Sequence, residues 1–135
     1  MAYAEYTKVP VEQTRAEIEK TLKRYGADRF AYFGEDTRAI IVFEAHNRRI
    51  RFDLPLPGTK VDKNGRLTRQ KWRALGLCIK AKLEAVDSKI ETFEEAFLAH
   101  VVMPDGKTVA EHTAERIEQA YSGGSMPPLL PAPGK

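Results

Sequence analysis

The spacing of the apolar residues changes along the chain, and this change constrains the fold more than any other feature. Apolar residues recur at helical spacing over residues 11–25, alternate in three short runs between Phe30 and Leu54, and return to helical spacing over residues 69–86. Side chains share a face about every 3.6 residues in a helix but every second residue in a strand. The order therefore predicts a helix, three strands and a further helix.

The three alternating runs cover residues 30–33, 39–43 and 50–54 and are rich in β-branched and aromatic residues. Short polar segments separate them, which is typical of an antiparallel meander. In the third run, alternation places Ile50, Phe52 and Leu54 toward the core and directs Arg49, Arg51 and Asp53 to solvent.

Local signals also mark the ends of the helices. Gly26 suits the left-handed position after the first helix, and Thr68 is predicted to cap a second helix that runs to residue 86. Two capping boxes, which begin at Thr92 and Thr108, predict short helices over residues 93–101 and 109–121. We expect an α+β fold: an N-terminal helix, a three-stranded antiparallel meander, three C-terminal helices and a Pro-rich tail. Residues 1–121 form one predicted domain, and residues 122–135 a flexible Gly/Pro-rich tail.

Basic and acidic residues are distributed unevenly along the sequence. Between Arg38 and Lys82 there are twelve Lys or Arg against three Asp or Glu, a balance of +9 in a chain whose total is +3. Such clustering is typical of a surface that binds a polyanion, although charged side chains also simply solvate exposed faces. The predicted phosphate contacts lie on the hairpin, on the loop after it and at the start of the second helix, where backbone N–H groups favour anions. They are Arg48, Arg49, Arg51, Lys60, Lys63, Arg66, Arg69, Lys71 and Arg73.

Aromatic residues in the strands could provide a stacking platform for single-stranded nucleic acid. Most of them are needed for the core, so we expect only Tyr32 or Phe33 to be exposed. Cys78 lies among apolar residues and is predicted to be a small core side chain.

Metal and catalytic motifs do not stand out. The three histidines, His46, His100 and His112, are scattered without metal-ligand spacing, and there is one cysteine. No cofactor fingerprint or catalytic motif is recognisable, so we predict no cofactor, no metal and no enzyme activity.

Segments for membrane insertion or export are not evident either. No run approaches the roughly 18 apolar residues of a membrane span, and residues 1–5 lack the basic start of a signal peptide. We therefore expect a cytoplasmic protein with no membrane partner.

Four stretches carry a resemblance to a known group of proteins. They are residues 9–27 (Val9-Pro10-Val11-Glu12 through Arg24-Tyr25-Gly26-Ala27), Arg49-Ile50-Arg51-Phe52-Asp53-Leu54-Pro55, residues 72–86 (Trp72-Arg73-Ala74-Leu75 through Ile79-Lys80-Ala81-Lys82-Leu83-Glu84-Ala85-Val86) and Ser125-Met126-Pro127-Pro128-Leu129-Leu130-Pro131. The chain resembles, over most of its length, a group of small phage and prophage proteins of uncharacterised function. The resemblance implies an intracellular, phage-related setting and assigns no role to particular residues.

Two functions follow from these patterns. The first is a phage-related accessory protein that binds the backbone of DNA or RNA through the basic face, largely without sequence preference. The alternative is a protein-interaction module, an inhibitor or adaptor acting on a host or phage protein or on a nucleoprotein assembly. Either its basic face would meet an acidic partner, or its acidic helices and tail would dock into a groove through Met126, Pro127, Pro128, Leu129, Leu130 and Pro131.

Two further partners stay open at this point. The basic face could instead hold a small phosphorylated ligand. A homodimer is expected if the meander leaves an exposed edge, or if the acidic helices of one copy meet the basic face of another.

Overall fold

The computed structural model describes residues 9–131 and has an α+β architecture, with a helix first, then strands, then helices. This order confirms the predicted fold class. The elements are α1 (Val11–Arg24), β1 (Arg29–Glu35), β2 (Arg38–Ala45), β3 (Arg48–Pro55), α2 (Arg66–Asp87), α3 (Phe93–Phe97), a 3₁₀ turn (Leu98–His100) and α4 (Val109–Gly123).

The three strands form one antiparallel sheet in the order β1-β2-β3. His46 and Asn47 make the turn between β2 and β3 with φ of 53° and 60°. Positive φ at both positions is the backbone conformation of a two-residue turn that matches the right-handed twist of the strands. The meander is therefore confirmed, with register pairs such as Phe43 opposite Ile50.

One face of the sheet packs under α1, α2 and α3. Ile41, Phe43, Ile50 and Phe52 are buried there, and Trp72 of α2 is 1% exposed. The other face carries Arg49, Arg51 and Asp53, as the alternation in β3 predicts. The core thus lies on one side of the sheet, and no helix of residues 9–131 packs across the centre of the opposite side.

The start of α2 differs from the prediction. The helix begins at Arg66, after Gly65 in a left-handed conformation, so Thr68 lies inside the first turn and is not the cap. The capping group is Asp62, from the preceding loop, whose two carboxylate oxygens accept hydrogen bonds from the N–H groups of Leu67 and Thr68 at 3.0 and 2.8 Å. An aspartate outside the helix therefore replaces the threonine within it.

Both C-terminal capping boxes are present, with Thr92 paired to Glu95 and Thr108 paired to Glu111. The helix that follows Thr92 is shorter than predicted, because the chain tightens into the 3₁₀ turn after Phe97. α4 continues to Gly123 and buries no residue. Residues 124–131 have no helix or strand, and the last four residues of the predicted tail lie outside the described part of the chain.

Candidate nucleic-acid interface

Three of the predicted phosphate contacts, Arg48, Arg49 and Arg51, lie on β3 and are termed here the sheet-face arginines. Each already binds a carboxylate. Arg48 donates to Glu94 at 2.6 Å, and Arg49 donates through two nitrogens to Glu44 at 3.0 and 2.9 Å. Both bonds from Arg49 go to the same carboxylate oxygen, Oε2 of Glu44, and they use donors that would otherwise hold a phosphate.

Arg51 is the most enclosed of the three, with a side chain 20% exposed. It donates to the carbonyl of Gly106 at 2.9 Å and to Glu111 at 2.5 Å, and so ties β3 to the start of α4. The hydrogen bond from Thr108 N–H and the adjacent Arg51 lower the pKa of Glu111 below its usual value. Arg51 therefore has a structural role in holding β3 to α4, and the lowered pKa keeps its partner Glu111 ionised.

The start of the second helix was predicted to offer free N–H groups and the side chains of Arg69, Lys71 and Arg73, whereas Arg66 was assigned to the preceding loop and is the first residue of α2. Asp62 takes two of those N–H groups, and it is 6% exposed. Burial tends to raise the pKa of Asp62, but hydrogen bonds from the Thr68 hydroxyl and the two N–H groups outweigh it and lower the pKa. An external anion would have to displace this internal one.

The other basic residues near the start of α2 differ in exposure and in whether they form hydrogen bonds. Arg69 donates to the carbonyl of Asn64 at 2.9 Å and so closes the loop before α2. Lys60, Lys63 and Lys71 are exposed and form no hydrogen bond or ion pair within residues 9–131. Lys71 lies two residues before Arg73, which places the two on opposite sides of α2. Lys71 thus does not share a face of α2 with Arg73.

A second concentration of positive charge lies where α1 packs against α2. Lys20 and Arg24 of α1 and Arg73 and Lys80 of α2 line a groove of about 290 Å³, here called the helix groove. Glu17 is the one carboxylate among residues 9–131 that lines it, and it binds Arg73 at 3.0 Å. Four cations therefore line the groove with one described anion, whereas each of the three sheet-face arginines binds a different carboxylate.

The floor of the helix groove is formed by Thr14, Ile18, Gly76 and Ile79, where α1 and α2 pack together. A Cβ at Gly76 would lie 3.5 Å from Cγ1 of Ile18 and 3.8 Å from Cγ2 of Thr14. Thr14 is 1% exposed, and its hydroxyl is a buried polar group for which the described chain offers no hydrogen-bond partner. The basic side chains that line this groove favour an anionic ligand.

Of the predicted contacts, only Arg73 lines the helix groove; Lys20, Arg24 and Lys80 were missed. Helical spacing could have found part of this set, because Lys20 and Arg24 are four residues apart and Arg66, Arg73 and Lys80 recur every seven residues. That α1 lies beside this face of α2 is tertiary information, which no local spacing contains.

The aromatic residues follow the prediction in part, because most are withdrawn from solvent but both Tyr32 and Phe33, rather than one of them, are exposed. Phe43 and Phe52 are buried and Phe30 is half-buried, whereas Tyr32 and Phe33 are 41% and 54% exposed. Tyr32 lies on the core side against Trp72, at 5.4 Å between ring centroids, with the guanidinium of Arg15 at 4.2 Å from its ring. A single exposed ring on the outer face, that of Phe33, is too little for the predicted stacking platform.

The residues predicted to bind a partner lie just beyond α4. Arg116 of α4 donates to the carbonyls of Pro128 and Leu130, which brings the chain after Gly124 back along the helix. Met126 is 86% exposed, and Leu129 and Leu130 are 45% and 40% exposed. The prediction that Cys78 is a core residue is wrong, because it lies on the exposed side of α2.

Comparisons of the chain with protein-family models, with curated proteins and with solved structures found no match. No helix within residues 9–131 is both long and apolar enough to cross a membrane. In the same residues, no cluster of three or more His, Cys, Asp or Glu is arranged to hold a metal ion.

Proposed function

We propose that this protein binds the phosphate backbone of a nucleic acid through the helix groove, largely without sequence preference. The observation that carries the proposal is the gathering of Lys20, Arg24, Arg73 and Lys80 from two helices around a single carboxylate. Lysine and arginine neutralise phosphates whatever the base sequence, which is why the proposal includes little sequence preference. A cytoplasmic, phage-related role is part of the proposal and rests on the sequence resemblance.

Counterion release gives the proposal a quantitative form. A protein that neutralises about four phosphates of duplex DNA loses about 100-fold in affinity between roughly 50 and 200 mM salt. The number of phosphates engaged by the helix groove is thus read from the slope of affinity against salt concentration.

The test is fluorescence anisotropy with labelled single-stranded DNA, duplex DNA and duplex RNA of equal length at these two salt concentrations. We expect saturable, salt-sensitive binding to at least one of them. Lys80→Glu should weaken that binding about tenfold, because it removes one phosphate contact and adds a repulsive charge.

Arg49→Glu is the matched control, since it makes the same charge reversal on an exposed residue outside the helix groove. It should change affinity far less than Lys80→Glu. Equal losses from the two variants would mean that only net charge matters, and no binding at low salt would remove the proposal.

A protein-interaction module is the second candidate, and a different observation favours it. α4 buries no residue, and beside it lies an apolar groove of about 490 Å³. The lining includes Leu98 and Ile117, which are 50% and 44% exposed. Exposed apolar surface of this kind is typical of a site that a protein partner covers.

Ile117→Glu tests this candidate, with Glu115→Lys as a control on α4 outside the groove lining. Co-purification from phage-infected or host cells should lose a specific partner with Ile117→Glu and keep it with Glu115→Lys. Removal of residues 122–135 then tests whether Met126 to Pro131 contribute, and unchanged capture would take them out of the interface.

A further inference from the structure

β1 is an edge strand that nothing in residues 9–131 pairs on its outer side. It is seven residues long and contains neither lysine nor proline. Lysines, prolines and bulges are the usual devices that stop an edge strand from pairing with another chain. β1 is therefore available for strand addition.

The free hydrogen-bonding groups of β1 can be assigned from its register with β2. Glu35 pairs with Arg38 across a two-residue turn, and Phe33 and Ala31 pair with Ile40 and Val42. Backbone groups alternate between the two sides of a strand, so the N–H and C=O groups of the intervening residues point away from β2. These residues are Phe30, Tyr32 and Gly34.

The sequence of β1 is complementary to itself in the antiparallel direction. We propose that the partner of this edge is β1 of a second copy, with Tyr32 opposite Tyr32 and the whole strand paired. In this register Phe30 of each copy forms a hydrogen-bonded pair with Gly34 of the other. Arg29 then lies opposite Glu35 at both ends of the interface, so opposite charges meet twice.

The outer face of the paired strands gains apolar contacts in the same register. Ala31 of one copy lies opposite Phe33 of the other, in a non-hydrogen-bonded pair whose side chains approach closely. Phe33, now 54% exposed, also comes within diagonal reach of its counterpart. One-residue shifts would place outward-facing backbone groups against groups already bound to β2, and longer shifts would break the two Arg29–Glu35 pairs.

The arrangement of the two copies bears on the proposed function without depending on it. Antiparallel pairing about Tyr32 keeps equivalent faces of the two sheets on the same side. Both helix grooves would therefore open on one side of a six-stranded sheet. A dimer of this kind could engage two stretches of nucleic acid backbone, with an avidity that a monomer lacks.

Sedimentation velocity over a concentration series tests the proposal, together with two charge variants. Arg29→Glu should weaken self-association about tenfold, because it places like charges opposite each other at both ends of the interface. Adding Glu35→Arg to it restores opposite charges and should bring the dissociation constant back to within about threefold of the wild-type value.

Arg49→Glu is the matched control, since Arg29 and Arg49 both lie opposite Glu44, on its two sides. It disturbs the same carboxylate but leaves the free edge intact, so self-association should not change. Melting curves of the variants separate loss of the dimer from loss of the fold.

Cross-linking tests the register itself. In a Cys78→Ser background, a mixture of Ala31→Cys and Phe33→Cys proteins should form a disulfide between copies, because these positions face each other at a suitable distance. Ala31→Cys alone should not. A monomer at all concentrations would overturn the proposal, as would a dimer that the Arg29→Glu variant leaves unchanged.

Discussion

The sheet-face arginines and the basic residues of the helix groove differ in how they are paired with carboxylates. Arg48, Arg49 and Arg51 are clustered in the sequence, yet each one binds a carboxylate supplied by β2, α3 or α4. Lys20 and Lys80 are 60 residues apart in the sequence, line one groove and form no ion pair within residues 9–131. The sequence thus shows where basic residues are concentrated, whereas tertiary packing determines which of them pair with carboxylates.

The difference is one of degree, because exposed ion pairs are weak. An exposed pair contributes about 0–1 kcal/mol and can be exchanged for a phosphate. What distinguishes the two regions is the cost of that exchange: a phosphate on the sheet face must displace carboxylates and meet their repulsion, whereas in the helix groove it meets Glu17 alone.

Reversing two charges in the helix groove should have the largest effect on nucleic acid affinity. Lys20→Glu combined with Lys80→Glu should lower nucleic acid affinity about 100-fold and reduce the salt slope by about two. Anisotropy measures both quantities. The matched double variant Arg48→Glu and Arg49→Glu should lose much less, and a larger loss there would transfer the site to the sheet.

Acid should destabilise the protein through the carboxylates that hold the fold together. Glu111, Asp62, Asp105 and Glu95 all have a lowered pKa in the folded chain. Their contribution is complete above the unfolded pKa of about 4 and is lost as pH falls through the lower folded value.

Urea unfolding at a series of pH values should therefore show a free energy of unfolding that drops below about pH 5. Glu111→Gln keeps the capping hydrogen bond but removes the charge, so its drop should be shallower. An identical pH dependence in wild type and Glu111→Gln would contradict the ionised Arg51–Glu111 pair.

Gly76→Ala tests whether the floor of the helix groove must be a glycine. A Cβ there makes ordinary contacts with Ile18 and Thr14, and Gly76 has no positive φ. Alanine should stabilise α2 by about 0.5–1 kcal/mol and leave nucleic acid binding unchanged. Denaturant unfolding and anisotropy check the two halves of this prediction, and a loss of stability would show that the helices pack closer than ordinary contact.

Glu44→Gln should reduce the difference between the two regions by increasing phosphate binding at the sheet face. Glu44 binds Arg49 at 2.9 Å and lies 3.6 Å from Arg29. Removing its charge frees both arginines, so nonspecific affinity should rise about threefold, with a slightly steeper salt slope. A rise of this kind, measured by anisotropy, would show that the Glu44 carboxylate prevents the arginines beside it from binding phosphate. An unchanged affinity would contradict that explanation.

The sequence predicted the parts of the fold that depend on local patterns. The alternation in β3, the two capping boxes and the left-handed Gly26 were each correct, because neighbouring residues determine them. The start of α2 was missed because its cap is Asp62, which comes from the loop and not from the expected position. Cys78 was misplaced because it sits beside apolar residues in sequence but on the outer side of the helix.

The candidate site was predictable only in part, for a related reason. The basic residues could be counted, but their partners could not: Glu94 and Glu111 reach β3 from distant parts of the chain. The helix groove likewise exists only because α1 packs against one side of α2. Ion pairing and groove formation are tertiary events, so charge clustering in the sequence could not show which basic residues pair with carboxylates and which line a common groove.

The central claim is that tertiary packing leaves the helix groove, and not the sheet face, free to bind phosphate. The most direct test is an NMR titration of isotope-labelled protein with the nucleic acid that binds most tightly in anisotropy. We predict that the largest shifts occur at Lys20, Arg24, Gly76 and Lys80, with small shifts at Arg49 and Arg51. The largest shifts along β3, or no shifts at low salt, would contradict the account.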